Sequence, residues 1–226
     1  MGPGSTRTGG GRARRPLVHR GRTLRCTLRF ENQARTQGFA VVAGLDEVGR
    51  GALCGPVLAC AVVLGRGFDA SGVDDSKRLT RRQRERLAER IRAQAQAVGV
   101  AAASHEEIDR LNILRATHLA MSRALAGLGV TPDLVLIDGL PVPAIELPQR
   151  AIVKGDALSV SIAAASIVAK VERDALMREW DERLPGYGLA RNMGYGSHDH
   201  RAALRRLGPS AIHRRSFGDV LQRWLF

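Results

Sequence analysis

The chain contains, at residues 39–51, the stretch Phe39-Ala40-Val41-Val42-Ala43-Gly44-Leu45-Asp46-Glu47-Val48-Gly49-Arg50-Gly51. Its first five residues form an apolar run that predicts a buried strand. Two adjacent carboxylates and a glycine-flanked arginine come next. Carboxylates at a strand end can bind hard divalent cations, and such an arginine can bind a phosphate. Adjacent Asp and Glu are also common on solvated turns, so the pair indicates a metal site only if other strands end in carboxylates too.

The composition predicts a globular protein without disulfide bonds. The chain has 226 residues, 44% of them hydrophobic, which is enough for one large domain or two small ones. Cys26, Cys54 and Cys60 form no CxxC pair, and two of them lie in an apolar segment, which favours reduced thiols. No apolar run approaches the ~20 residues of a membrane-spanning helix, and the N-terminus lacks the apolar centre of a secretory signal. We therefore expect a soluble cytoplasmic protein.

The net charge of +13 indicates a polyanionic partner, since Lys and Arg release counterions from phosphates when they bind nucleic acid. Residues 1–27 are rich in Gly, Arg, Ser, Thr and Pro and poor in large apolar groups. A segment of this composition cannot bury enough apolar surface to fold, so we predict a basic, disordered tail. It is either a plain extension or mis-assigned start, or a loose tether for nucleic acid.

Between residues 28 and 226, apolar runs alternate with helical patterns, which predicts one α/β domain. Further strands are predicted at 56–64, 98–103, 134–137 and 151–153, and helices at 80–97, 106–128 and 159–184. Asp138 ends the strand at 134–137, and Asp156 comes just before the last of these helices. Ligands gather outside the carboxyl ends of strands in sheets of this class, so these two carboxylates strengthen the prediction of a cation site.

Six motifs occur in order along the chain: Asp46-Glu47-Val48-Gly49-Arg50-Gly51, Asp75-Ser76-Lys77-Arg78-Leu79, Asp138-Gly139, Lys154-Gly155-Asp156, Ala163-Ala164-Ala165-Ser166 through Lys170, and Ile212-His213-Arg214-Arg215-Ser216-Phe217. Together they closely resemble the ribonuclease HII family, and an ordered set is far more specific than any single motif. The resemblance implies a ribonuclease H-like fold, with a mixed five-stranded sheet flanked by helices and a helical C-terminal part. It also implies an endoribonuclease that hydrolyses the RNA strand of RNA–DNA hybrids and cuts 5′ to single ribonucleotides embedded in duplex DNA.

Carried over position by position, the resemblance implies four acidic residues that are catalytic and bind metal: Asp46, Glu47, Asp138 and Asp156. The implied cofactor is Mg²⁺ or Mn²⁺. In two-metal-ion hydrolysis one ion activates a water and the other neutralises the departing oxygen, which here would leave a 3′-hydroxyl and a 5′-phosphate. Asp46 and Asp138 are expected nearest the ion pair, Glu47 completes the shell, and Asp156 orients metal or water. Adjacent residues of a regular strand face opposite ways, so a bulge or a main-chain contact is expected at Asp46-Glu47.

For substrate binding, the resemblance implies that Gly49, Arg50 and Gly51 detect the 2′-hydroxyl, the group that distinguishes RNA from DNA. Tyr195 would stack near the ribonucleotide–deoxyribonucleotide junction, although a lone tyrosine in a glycine-rich loop is by itself more typical of a packed turn. Lys77 is expected to approach the substrate backbone. Arg50 favours this family over the sister ribonuclease HIII family, which carries threonine there.

The chain departs from the family at Asn192-Met193, where His-Lys is common, so a phosphate contact is lost unless Arg191 replaces it. Three other candidates are less specific. His213 has no evident partner and is expected to be structural. Arg214 and Arg215 are open between phosphate contact and structural pairing, and Ser166 is expected to pack rather than to act as a nucleophile.

Two other function classes fit part of the pattern. A binding module that holds hybrids without cutting them fits the basic charge, but four carboxylates near phosphate weaken binding unless metal is present. Another two-metal nuclease of the same fold, such as a resolvase acting on branched DNA, is disfavoured by Gly49-Arg50-Gly51 with Tyr195.

The C-terminus ends in Gln222-Arg223-Trp224-Leu225-Phe226. This segment resembles the Gln-x-x-Leu-Phe peptide by which bacterial proteins bind the replication sliding clamp. The preferred interpretation is an amphipathic end that docks Trp224 and Phe226 onto the domain, because aromatic ends commonly bury locally. Clamp binding is the alternative.

Overall fold

The computed structural model describes residues 1 and 26–221. The strands are β1 (Val42–Val48), β2 (Val57–Leu64), β3 (Ala95–Ala103), β4 (Leu134–Asp138) and β5 (Gln149–Ile152). The helices are α1 (Arg29–Thr36), α2 (Arg81–Gln94), α3 (His105–Leu111), α4 (Ile113–Ala126), α5 (Val160–Arg183), α6 (Leu189–Asn192), α7 (His198–Leu207) and α8 (Gly218–Leu221). Single 3-10 turns at Ser76–Arg78 and Gly155–Ala157 precede α2 and α5.

The five strands form one mixed sheet in the order β3-β2-β1-β4-β5. β1 pairs antiparallel with β2 and parallel with β4, while β2 pairs antiparallel with β3 and β4 parallel with β5. The fold implied by the family resemblance is therefore confirmed. Because β1, β4 and β5 run in the same direction, their carboxyl ends meet at one edge of the sheet.

Alanine-rich helices cover both faces of the sheet and bring it close to its neighbours. On one face, Ala116, Ala120 and Ala124 of α4 pack against β3, β2 and β1. On the other face, the buried residues 163–169 of α5 pack against β2 together with α2. The backbones of α5 and β1 approach so closely that a Cβ at Gly44 would lie 2.1 Å from the carbonyl carbon of Ser161. Small side chains at these positions are thus a requirement of the packing.

Three predicted elements differ from those observed. β1 does not end before the carboxylates but continues through Asp46 and Glu47 to Val48. The helix predicted at 106–128 is two helices, because Asn112 has φ of 71° and its side chain caps the N-terminus of α4. The helix that Thr80 caps was expected to reach about residue 97, but it ends at Gln94, where β3 begins directly.

Two predicted segments lie outside the described residues. They are the basic tail, apart from Met1 and its last two residues, and the peptide Gln222–Phe226, so the predictions about them stay predictions. Cys26, Cys54 and Cys60 are free thiols. Among residues 26–221, no helix is both long and apolar enough to cross a membrane.

Replacing Gly44 by alanine tests the contact between α5 and β1. The added Cβ meets main-chain atoms that cannot rotate away, so we expect a loss of roughly 1–3 kcal/mol in the free energy of unfolding. Gly218→Ala is the control, since a Cβ there has no atom within 4 Å. Denaturant melts of both variants would contradict this packing if Gly44→Ala were as stable as Gly218→Ala.

Candidate active site

Three separate segments bring four carboxylates to the same edge of the sheet. Asp46 and Glu47 lie near the carboxyl end of β1, and Asp138 is the last residue of the neighbouring strand β4. Asp156 lies in the 3-10 turn that leads into α5. The two later segments are joined directly, because the main-chain N–H of Gly155 donates to Asp138 Oδ1 at 2.7 Å.

These carboxylates line a cavity of about 370 Å³. All nine residues that the sequence nominated for catalysis or substrate binding are in its wall: Asp46, Glu47, Gly49, Arg50, Gly51, Lys77, Asp138, Asp156 and Tyr195. Five further residues complete the wall: Val48, Ser76, Arg84, Ser166 and Lys170. Arg191, the expected substitute for a missing phosphate contact, is exposed and lies outside it.

Asp46 and Glu47 reach this cavity from opposite faces of β1. Asp46 pairs with Cys60 on β2 and Glu47 with Ala59, which belong to the two opposite apolar layers of the protein. The pairing with β2 is regular through Val48, so the expected bulge does not occur. A main-chain contact is present, since the N–H of Glu47 donates to Asp46 Oδ1 at 2.8 Å. Both side chains reach the cavity because the strand ends one residue later.

The carboxylates of the site are buried close to one another, which raises the pKa values of three of them. The pKa of Asp46 is raised well above its usual value by burial and then by Glu47 and Asp138. Burial also raises the pKa of Glu47, against the effect of Arg50, and the pKa of Asp138, where Asp156 adds to the rise. A divalent cation would relieve this repulsion, and carboxylate oxygens are the ligands that Mg²⁺ and Mn²⁺ prefer. The donor set therefore fits such an ion.

Lys77 forms one side of the cavity. Its Nζ lies 2.9 Å from Asp156 Oδ2, and its pKa is raised chiefly by this hydrogen bond. The side chain is nevertheless 79% exposed, so most of it faces solvent. The 3-10 turn that carries it is fixed by Asp75, whose side chain accepts the N–H of Lys77.

The turn Gly49-Arg50-Gly51 follows β1 directly. Packing within the protein requires glycine at the first of these positions but not at the third. Gly49 has φ of 93°, and a Cβ there would lie 2.2 Å from Nε of the buried Arg173. Gly51 has no such restriction, because a Cβ there has no protein atom within 4 Å. No contact among the described residues requires glycine at position 51. The space beside its Cα is therefore open to a bound molecule.

Tyr195 lies next to this turn in the cavity wall and is 36% exposed. Its ring is 5.4 Å from the guanidinium of Arg173, within the range of a cation–π contact. The loop that carries it is held to the segment after the turn: Tyr195 pairs with Ala52, and the N–H of Leu53 donates to Gly194 O at 2.8 Å.

Cys54, His200 and His213 form a second buried group of potential metal ligands, with ligand atoms within 4.8 Å of one another. Each of the four imidazole nitrogens of His200 and His213 makes a hydrogen bond within the protein. His213 Nδ1 accepts the N–H of Ser210 at 2.9 Å, so its Nε2 carries the proton and donates to His200 Nε2 at 3.1 Å. His200 Nδ1 then donates to Tyr195 O at 2.9 Å. His213 therefore does have a partner, and its role is structural as expected, because this pair anchors the main chain of Tyr195.

The sequence did not single out Lys170 and Arg84 as parts of the site. Both line the cavity and face Asp174, with Lys170 Nζ 2.7 Å from Oδ1 and Arg84 Nη2 3.9 Å from Oδ2. Ser166, expected only to pack, also lies in the cavity wall, where its hydroxyl bonds Ser76 Oγ at 3.0 Å and Asp46. Ser166, Lys170 and Asp174 are four positions apart on one face of α5, and that periodicity was the available signal, whereas Arg84 comes from α2.

Comparison with known proteins gives a consistent result. The profile of the family described as Ribonuclease HII matches residues 43–220. A Ribonuclease HII from Desulfitobacterium hafniense (strain Y51) is 52% identical over 200 residues, which are 88% of this chain and 77% of the relative. One from Synechococcus sp. (strain JA-3-3Ab) is 55% identical over 197 residues, or 86% and 89% of the two chains. The solved PCNA:RNase HII complex from Archaeoglobus fulgidus has a TM-score of 0.68 at 26% identity and covers 78% of this chain and 95% of that one.

The match spans both the sheet that positions the carboxylates and the segments that surround them. Ribonucleases H depend on divalent metal ions, in agreement with a cavity whose donors are carboxylate oxygens. The chain therefore belongs to the ribonuclease HII family and is a ribonuclease H, an endoribonuclease of the class that acts on RNA–DNA hybrids.

Proposed function

We propose that this protein hydrolyses the RNA strand of RNA–DNA hybrids and also cuts on the 5′ side of single ribonucleotides embedded in duplex DNA, leaving 3′-hydroxyl and 5′-phosphate ends. One observation carries the proposal. Asp46, Glu47, Asp138 and Asp156 converge in a single cavity whose wall also contains the glycine turn at residues 49–51. The carboxylates proposed to cleave the phosphodiester therefore lie next to the turn proposed to recognise the sugar.

Two Mg²⁺ or Mn²⁺ ions, when bound, would supply an activated water and neutralise charge on the departing oxygen. The protein's own part is to hold their ligands. Asp46 and Asp138, on adjacent parallel strands, would hold the ions, and Glu47 would contribute from the opposite face of β1. Asp156 is oriented by Lys77 and completes the set.

Recognition of the 2′-hydroxyl is assigned to the main chain of Gly49, Arg50 and Gly51. The free space above Gly51 supports a close approach of a sugar to the backbone. Tyr195, beside the turn in the same cavity wall, is assigned to stack against a base or sugar at the junction. Contact with the phosphate backbone is assigned to Lys77, and the exposure of its side chain beside Asp156 supports this assignment.

The main alternative is a protein that binds hybrids without cutting them. The raised pKa values of Asp46, Glu47 and Asp138 argue against it, because a binding module gains nothing from buried carboxylates that repel each other and repel phosphate. A resolvase-like nuclease is the other alternative, and it would cut without any ribonucleotide.

Asp138→Asn tests the proposed reaction. The protein and the variant are incubated with a duplex containing one ribonucleotide, an RNA–DNA hybrid and an all-DNA duplex, each with Mg²⁺, Mn²⁺ or chelator. We expect metal-dependent cleavage of the first two substrates, and a fall of at least about 100-fold in the variant because a metal-binding oxygen is lost. The pKa of Asp138 is raised, so removing its charge should not lower the melting temperature.

Glu89→Gln is the matched control for that variant, since it removes an exposed carboxylate on α2 outside the cavity. Metal-dependent cutting of the all-DNA duplex would favour the resolvase-like alternative. Tight binding of the hybrid with no product under any condition would favour the binding module.

Gly51→Ala tests recognition by the main chain of the turn. A methyl group fits within the protein at this position, so the melting temperature should stay within about a degree of wild type. The same methyl would hold a sugar away from the backbone, and we expect kcat/KM to fall roughly 10–100-fold. Gly49→Ala should instead lower the melting temperature, because of its positive φ and its contact with Arg173. Full activity of Gly51→Ala would contradict the assigned role.

We also propose that Gln222–Phe226 binds a replication sliding clamp. Its Gln-x-x-Leu-Phe pattern supports this, as does the relative from Archaeoglobus fulgidus, which was solved in complex with PCNA. Deleting residues 222–226 should abolish binding to a bacterial clamp, measured by surface plasmon resonance, and leave the melting temperature unchanged. Arg223→Ala, at a variable position of the pattern, should bind normally. A large fall in melting temperature on deletion would instead mean that Trp224 and Phe226 dock on the domain.

A further inference from the structure

Arg214 is a fully buried arginine whose hydrogen bonds go to main-chain carbonyl groups. The guanidinium donates to Gly49 O at 2.7 Å, Arg50 O at 2.9 Å, Gly55 O at 2.9 Å and Pro56 O at 3.1 Å. Within residues 26–221 it has no salt bridge to a carboxylate. The sequence left Arg214 open between a phosphate contact and structural pairing. Because its guanidinium faces inward, Arg214 does not contact phosphate.

Two of these four carbonyl groups belong to the turn that lines the cavity. In a trans peptide the N–H points opposite to the C=O, and the described residues contain no cis peptide bond. Because Arg214 draws the carbonyl oxygens of Gly49 and Arg50 inward, the N–H groups of Arg50 and Gly51 point outward. Neither N–H has an acceptor among residues 26–221. The turn therefore presents two unpaired donors beside the free space over Gly51.

The guanidinium that orients these donors is itself held rigidly. It lies 5.1 Å from the ring of Phe217, and Arg173 packs nearby, sharing Pro56 O as an acceptor at 3.2 Å. Burial and then Arg173 lower the pKa of Arg214 to about 10, so it remains a cation at neutral pH. A cation fixed behind two carbonyl groups also polarises their peptide units and strengthens the N–H donors on the other side.

We propose that Arg214 is a positioning residue for ribose selection, which acts by aiming the Arg50 and Gly51 N–H groups at an oxygen of the substrate sugar. This proposal rests on the proposed function of the turn and adds the residue that sets its orientation. Arg214 does not face the substrate and takes no part in the cleavage. The planar fork is essential, because four carbonyl groups in fixed directions match a guanidinium and not the point charge of lysine.

The test compares Arg214→Lys with the wild-type chain. Affinity is measured in chelator, without cleavage, for a duplex containing one ribonucleotide and for the same duplex made entirely of DNA. Wild type should prefer the ribonucleotide, and we expect Arg214→Lys to lose about tenfold of that preference while its affinity for DNA is unchanged, since one well-oriented hydrogen bond is worth about that factor. In Mg²⁺ the loss should appear mainly in KM.

Ile91→Ala is the control for destabilisation, since Ile91 is fully buried between α2 and the sheet and lies outside the cavity. It should lower the melting temperature and keep the ribonucleotide preference. If Arg214→Lys lowers the melting temperature but keeps the full preference, Arg214 is only structural and the proposal is wrong. If wild type itself has no preference, the proposed function fails before this question arises.

Phe217→Leu gives a second route should Arg214→Lys not fold. It loosens the guanidinium by removing the ring beneath it but leaves all four hydrogen-bond acceptors in place. We expect a smaller loss of ribonucleotide preference in the same direction, about two- to threefold. Faster hydrogen exchange of the Ala52 amide, which donates to Gly49 O, should accompany it. An unchanged preference with faster exchange would overturn the proposal.

Discussion

The parallel pairing of β1 with β4 is the constraint on which the rest of this site depends. The register between β1 and β4 ends with Leu45 opposite Ile137, so the next residues, Asp46 and Asp138, lie side by side where that pairing ends. β5 continues the same parallel set, and the chain that follows it returns Asp156 to the same edge. A shift of one residue would turn one carboxylate into the apolar layer, where its desolvation would be unfavourable.

Holding these carboxylates together costs free energy, as the raised pKa of Asp46 records. The rigid layers around the sheet offset that cost. Close packing of α5 on β1 at Gly44 and of α4 on β2 leaves the strands little freedom to spread apart. The site is consequently formed before a cation or substrate arrives, and a preformed ligand set loses less free energy on binding than one that must assemble.

Apolar runs in the sequence predicted the strands and the α/β class. The mixed five-stranded sheet and the set of four acidic residues were implied by the ordered motifs that resemble the family. The sequence did not predict that β1 continues through Asp46 and Glu47, since the pairing with β2 that extends it is a contact between distant segments. The break at Asn112 depends on one residue with positive φ inside an otherwise helical pattern. The link between His200 and His213 and the inward direction of Arg214 depend on tertiary folding, and no local pattern encodes them.

If main-chain groups recognise the sugar, as proposed, the side chains of the turn itself do not determine specificity. A peptide N–H is the same for almost every residue type, so a substitution in the turn alters its reach or shape more than its chemistry. The information then lies in whatever orients the peptide, and here that is Arg214, 164 residues later in the chain. A guanidinium suits this task, since it makes several directed bonds at once and keeps its charge when buried. The acidic cavity and the buried arginines thus have opposite roles. The carboxylates keep negative charge that a cation can neutralise, whereas the guanidinium groups of the arginines bind carbonyl groups of the protein's own backbone.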